Sequence, residues 1–109
     1  MSDYNPDRWL VVKINSKQPH YRVFACWYGS YLGSDSWKLN SGITKVTFED
    51  NVYSFEGSSG SFYHCHKNTY GASGYGSSVL SRMIEESKEK DIVIDILPEE
   101  TNWLELDYA

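Results

Sequence analysis

The stretch Ile43-Thr-Lys-Val-Thr-Phe-Glu-Asp-Asn-Val-Tyr-Ser-Phe-Glu56, continued by Gly57-Ser-Ser-Gly and Ser61-Phe-Tyr-His-Cys-His-Lys67, decides the fold class. Val46 and Phe48 alternate with Lys45, Thr47 and Glu49, the period-two pattern of a half-buried strand. Asp50 and Asn51 tolerate left-handed backbone, which a tight hairpin requires. The Gly/Ser run from Gly57 supplies the next turn. Three consecutive strands therefore read as an antiparallel meander.

Upstream, Arg8-Trp-Leu-Val-Val-Lys-Ile-Asn15 is apolar and β-branched, and reads as a strand. Ser16-Lys-Gln-Pro-His20 is a turn, where Pro19 removes a backbone donor. In the strand Tyr21-Arg-Val-Phe-Ala-Cys-Trp-Tyr28, Tyr21, Val23, Ala25 and Trp27 share one face. Arg22, Phe24, Cys26 and Tyr28 share the other, so apolar groups on both faces mark a central strand. Gly29-Ser-Tyr-Leu-Gly-Ser-Asp-Ser36 reads as a loop, and residues 1–7 as a flexible N-terminal end.

Downstream, Asn68-Thr-Tyr-Gly-Ala-Ser-Gly-Tyr-Gly76 is irregular and glycine-rich. Ser77 or Ser78 can cap a helix whose apolar face is Val79, Leu80, Met83 and Ile84. The run Glu85-Glu-Ser-Lys-Glu-Lys90 ends that helix in solvent, and Asp91-Ile-Val-Ile-Asp-Ile-Leu97 is a last strand stopped by Pro98. Trp103, Leu104 and Leu106 give the tail a reason to dock. The expected fold is α+β in a single domain spanning 1–109, with an antiparallel or mixed sheet of about five to six strands and one helix packed on a face.

The 109 residues are 40% hydrophobic and 23% charged, which excludes a wholly disordered chain. No apolar run approaches the ~18 residues that span a bilayer. The N-terminal Met1-Ser-Asp-Tyr-Asn-Pro6 has no basic-then-apolar pattern, so a cytoplasmic protein without membrane contact is expected. The net charge of -5 is uneven: residues 1–81 carry seven Lys/Arg and six Asp/Glu, residues 82–109 three and nine. No basic stripe exists to displace counterions from duplex nucleic acid. The acidic end is either a solubilising surface or a patch for a basic partner.

Nine Tyr, four Trp and four Phe are more rings than a domain this small can hide. Strand packing accounts for Phe48, Phe55, Phe62 and Trp27. It accounts less well for the tyrosines in Gly/Ser-rich segments, Tyr28, Tyr31, Tyr70 and Tyr75.

Three constellations could carry chemistry. His64 and His66 point to one face of a strand and are weak metal candidates, with His20 or an acid completing a set; Cys65 points away from them. Cys26 with a distant histidine could form a nucleophile pair, although both cysteines read more simply as small buried apolar groups. Gly71, Gly74, Gly76, Ser77 and Ser78 lead into a helix N-terminus that could receive a phosphate. That run lacks both GK[ST] and a G-x-G-x-x-G directly after a strand.

Trp27-Tyr-Gly-Ser-Tyr-Leu-Gly33, Trp37-Lys-Leu-Asn-Ser-Gly-Ile43, Tyr63-His-Cys-His-Lys-Asn-Thr-Tyr-Gly71 and Asn102-Trp-Leu-Glu-Leu-Asp-Tyr108 carry a resemblance across most of the chain. Together they resemble a group of small proteins encoded by tailed bacteriophages. The resemblance implies an accessory protein acting inside an infected bacterium, a setting in which such proteins commonly bind and inhibit a host factor, often one of antiviral defence. The group has no assigned catalytic motif, so no site residue follows from it.

The leading expectation is a non-enzymatic protein that binds and inhibits a host bacterial protein. Its contacts would be Tyr28, Tyr31, Trp37, Tyr70 and Tyr75, with Glu99, Glu100, Glu105 and Asp107 as the electrostatic component. The second is a binder that sequesters a nucleotide signal near residues 71–78, and the third a metal- or cysteine-dependent enzyme. No cofactor is expected, and an exposed sheet edge could pair two copies into a homo-oligomer.

Overall fold

The structure, a computed structural model, describes residues 2–29 and 34–108. Those residues form strands β1 (Asp3–Tyr4), β2 (Arg8–Asn15), β3 (His20–Trp27), β4 (Ser36–Leu39), β5 (Ile43–Glu49), β6 (Val52–Gly57) and β7 (Phe62–His66). A short 3₁₀ turn (Lys67–Thr69), helix α1 (Gly74–Lys88) and strand β8 (Val93–Ile96) complete the order.

The meander is present as read. β5 pairs with β6 and β6 with β7, both antiparallel, with Glu49 opposite Val52 across the first turn. Asp50 (φ 51°) and Asn51 (φ 64°) both sit in the left-handed region, as a two-residue hairpin turn of the right twist demands.

The expectation of one five- or six-stranded sheet is corrected. There are two four-stranded sheets, ordered β1-β7-β6-β5 and β4-β3-β2-β8. The reason lies in β2 and β3, which are apolar on both faces and need cover on both. Trp9, Val11, Val23 and Ala25 meet Ile43, Phe55, Tyr63 and Cys65 of the meander, with Trp103 added from the tail. Leu10, Val12, Phe24, Cys26 and Ile94 meet Leu80 of α1 on the other side. The layers are thus meander sheet, central sheet, helix. Each large apolar side chain fully buried in them contributes about 1.5–3 kcal/mol before entropy is subtracted.

Two further expectations change. The N-terminal end is docked instead of loose. β1 runs parallel to β7, Phe62 N donates to Ser2 O (2.8 Å), and Tyr4 packs on Tyr63 with ring centroids 4.8 Å apart. The helix begins before Ser77 and Ser78: its cap is Ser73, whose Oγ accepts from Gly76 N at 2.9 Å. Glycines weaken an isolated helix, so local propensity argued for a later start. Packing overrides it, because a Cβ on Gly76 would lie 2.4 Å from Cys26 Sγ. Only glycine lets the first turn of α1 come this close to the central sheet.

β4 occupies part of the chain that showed no strand pattern, and Trp37 pairs there opposite Cys26 of β3. The tail docks as expected, with Trp103 only 2% exposed and Tyr108 Oη donating to Trp103 O at 2.5 Å. Among the described residues no helix is long and apolar enough to cross a membrane.

Candidate functional site

Of the rings expected at the surface, Tyr28, Trp37 and Tyr75 are 54%, 38% and 48% exposed. Tyr31 lies outside the described residues. Tyr70 is part-buried rather than fully displayed, and its ring is held in place while lining a cleft. Its hydroxyl donates to Leu97 O (2.5 Å) and accepts from Val11 N (3.2 Å). Its ring stands edge-on to Trp9 at 4.7 Å and stacks on Trp103 at 5.5 Å. The Gly/Ser-rich surroundings that argued for display reflect a tight chain reversal. Gly71 there has φ 136°, and its N–H donates to Trp9 O at 2.8 Å.

Trp37 and Tyr75 come together. β4 is an edge strand of the central sheet, and Trp37 stacks on Phe24 of β3 with centroids 5.5 Å apart and planes 19° off parallel. Tyr75 precedes Gly76, so the close approach of α1 at Gly76 brings Tyr75 down to the same edge. Trp37, Tyr75, Val79, Arg82, Met83 and Glu86 line a cleft of about 380 Å³. The helical members recur every three or four residues, which is one face of α1. Val79 and Met83 were legible as apolar helix positions. Arg82 and Glu86 became legible as their neighbours only once the helix was placed. Among the described residues Arg82 makes no ion pair, so its guanidinium is available to a partner.

Tyr28 stands at the end of β3, its backbone N–H held by Asp7 Oδ2 at 2.8 Å. The acidic candidates do not join the helix cleft. Glu99 and Glu100 line a second cleft of about 270 Å³ with Lys67, Asn68, Tyr53, Tyr70, Trp9 and Trp103. Glu105 and Asp107 are exposed on the tail. Burial, with the charges of Glu99 and Glu100 nearby, pushes the Tyr70 hydroxyl up to about 12.

The glycine-rich run uses three of its backbone donors internally. Gly71 N binds Trp9 O, Gly76 N binds Ser73 Oγ and Ser77 N binds Ser73 O at 2.8 Å. Ser78 Oγ donates back to Gly74 O at 3.3 Å. The first helical turn is pressed against the central sheet at Gly76, which leaves a phosphate little room on that side.

His64 is committed on both ring nitrogens. Nε2 faces Asp3 Oδ1 at 2.9 Å, and Nδ1 faces Ser54 Oγ at 2.8 Å. The Asp3 contact ties β1 to the meander. His66 is exposed on the same strand. His20 belongs to another sheet, with Nδ1 donating to Gln18 O and Nε2 accepting from Arg22 Nε. Among the described residues no three His, Cys, Asp or Glu side chains gather as metal ligands would.

Both cysteines are buried and free. Burial raises the Cys26 thiol, against smaller opposing effects of Ser73 and Arg8, and holds the Cys65 thiol well above its usual range. Neither has the thiolate character of a nucleophile at neutral pH. The chain matches no family model, no curated protein and no solved structure.

Proposed function

We propose that this protein acts by binding and not by catalysis, as an accessory factor of the phage kind that docks on a host bacterial protein and blocks its work. The observation that carries this reading is that Trp37 and Tyr75, two exposed rings from different elements, line one cleft together with Val79, Met83 and the charged Arg82 and Glu86. Tyrosine and tryptophan anchors in a pre-formed recess are what concentrated binding energy at a protein interface requires. Both rings ride on regular elements, β4 and α1, so little conformational entropy is lost when a partner seats on them. Arg82 and Glu86 supply polar selectivity beside them. The acidic C-terminal third of the chain favours a partner with a basic surface, and acts mainly on encounter rate and salt dependence. The resemblance to small phage-encoded proteins supplies the setting, and the buried, unactivated thiols favour binding over chemistry.

The test is capture of host proteins from a phage-infected bacterial lysate on immobilised wild type and on a Trp37→Ala/Tyr75→Ala variant. Wild type should retain a host protein and lower its activity. The double variant should lose at least about tenfold in affinity while still melting cooperatively as a folded domain. Retention of the same protein by both, or of none by wild type, overturns the proposal.

A further inference from the structure

The second cleft carries an inference of its own, independent of the helix cleft. Its inner surface is aromatic: Trp9, Tyr70 and Trp103, flanked by Tyr53. These rings are fixed before any ligand arrives. Trp9 Nε1 donates to His66 O at 2.7 Å, and the Tyr70 hydroxyl is used on both sides by Leu97 O and Val11 N. Trp9 touches Tyr53, Tyr70 and Trp103 at centroid distances of 6.1, 4.7 and 5.7 Å. Trp9 and Trp103 are almost wholly buried and back the cleft, so the ring surface left open to a ligand is that of the part-buried Tyr70 and Tyr53.

The rim adds the opposite kind of group. Glu99 and Glu100 follow Pro98 at the start of the tail, where Thr101 N and Oγ1 both donate to Pro98 O, at 3.1 and 2.6 Å. That turn holds two consecutive carboxylates at the mouth. Neither forms an ion pair among the described residues, and Asn68 adds an amide beside them.

We infer that this cleft binds a guanidinium group, presented as an arginine side chain by a polypeptide. A ring surface attracts cations, and carboxylates accept hydrogen bonds without donating any. A guanidinium answers both at once. It is planar, weakly hydrated and stacks on rings, while its fork of N–H groups matches a carboxylate. An ammonium is more strongly hydrated and meets the same site as a point charge. A volume of about 270 Å³ suits a side-chain head group with its stem outside, and not a whole nucleotide. Lys67 stands on the same rim and is the resident competitor for the carboxylates.

The experiment is a titration of the ¹⁵N-labelled protein with acetyl-arginine amide, acetyl-lysine amide and inorganic phosphate, following the four indole N–H resonances. The arginine derivative should shift Trp9 and Trp103 and leave Trp27 and Trp37 in place. It should bind at least about fivefold tighter than the lysine derivative, and phosphate should shift none of the four. Glu99→Gln/Glu100→Gln should weaken arginine binding about tenfold, and Lys67→Ala should strengthen it. These side chains are exposed, so the variants should fold, and an unchanged melting temperature verifies it. Still Trp9 and Trp103 signals at saturating arginine derivative, equal binding of lysine, binding of phosphate instead, or full affinity in the double glutamine variant would each overturn the inference. A failure here leaves the Trp37–Tyr75 proposal untouched, because the variants and signals do not overlap.

Discussion

The two clefts lie over opposite faces of one sheet and use aromatic residues in opposite ways. Beside α1, Trp37 and Tyr75 are 38% and 48% exposed, and part of each ring is still open to solvent although Trp37 also stacks on Phe24. Under the tail, Trp9 and Trp103 are 1% and 2% exposed, and hydrogen bonds lock Trp9 and Tyr70 in place. Displayed rings gain area only when something covers them, so they suit affinity for a large surface. Locked rings have already contributed their area to folding. What they add to a cleft is a rigid backing that fixes its shape. A high aromatic content is therefore two quantities, rings committed to the interior and rings still open to solvent.

Substitutions separate the two. Trp103→Ala should be the most damaging, costing about 3–5 kcal/mol of stability, because it empties the centre of the tail-side core. Chemical denaturation would measure it. A loss below about 1 kcal/mol would mean that the tail does not belong to the folded unit. Gly76→Ala comes next, at about 1–3 kcal/mol, since the new methyl must displace Cys26 Sγ or lift the helix. Adding Cys26→Ala should recover part of that loss in a double-mutant cycle, and strict additivity of the two changes would show that α1 does not sit on Cys26.

Tyr70→Phe should cost about 1–2 kcal/mol, leaving Leu97 O and Val11 N without their partner. Its pH signature is distinctive. An unfolded tyrosine ionises near roughly pH 10. Folded Tyr70 and Tyr63 hold their protons up to about 12, both chiefly because they are buried. Above pH 10 the unfolded chain therefore binds fewer protons than the folded one, and stability falls as pH rises towards 12. Below pH 10 this contribution is fully present. Tyr70→Phe should flatten the alkaline fall, as denaturant midpoints across that range would show. An unchanged slope would mean the ring is solvated. Trp37→Ala/Tyr75→Ala, in contrast, should lower stability modestly through the lost Trp37–Phe24 stack and partner affinity most.

Much of the fold could be read from local pattern. The Asp50–Asn51 turn, the faces of β3 and the docking of Trp103 follow from alternation, turn chemistry and apolar residues in a tail. The second sheet could not be read, because alternation shows that a face is buried but not by what. The short strands β1 and β4 gain their pairing from neighbours already in place, a non-local effect that four or fewer residues cannot signal. The clefts were half legible. Trp37, Tyr75, Glu99 and Glu100 stood out by type and context, yet their grouping into two sites depends on residues distant in sequence. Tyr70 was only half legible, because a glycine-rich neighbourhood marks a chain reversal equally well at the surface or against a core, and the ring is part-buried.

By itself the amino-acid order determined the number of rings, the acidic skew of the C-terminal third, the hairpin turns and the two-faced central strands. These are properties of composition and of neighbours within a few residues, where backbone sterics and side-chain periodicity act directly. Which rings are locked and which displayed, where α1 begins, and which charges stand beside which aromatics were decided only by tertiary packing. Those outcomes depend on how three layers share a limited interior, and no single segment carries that information.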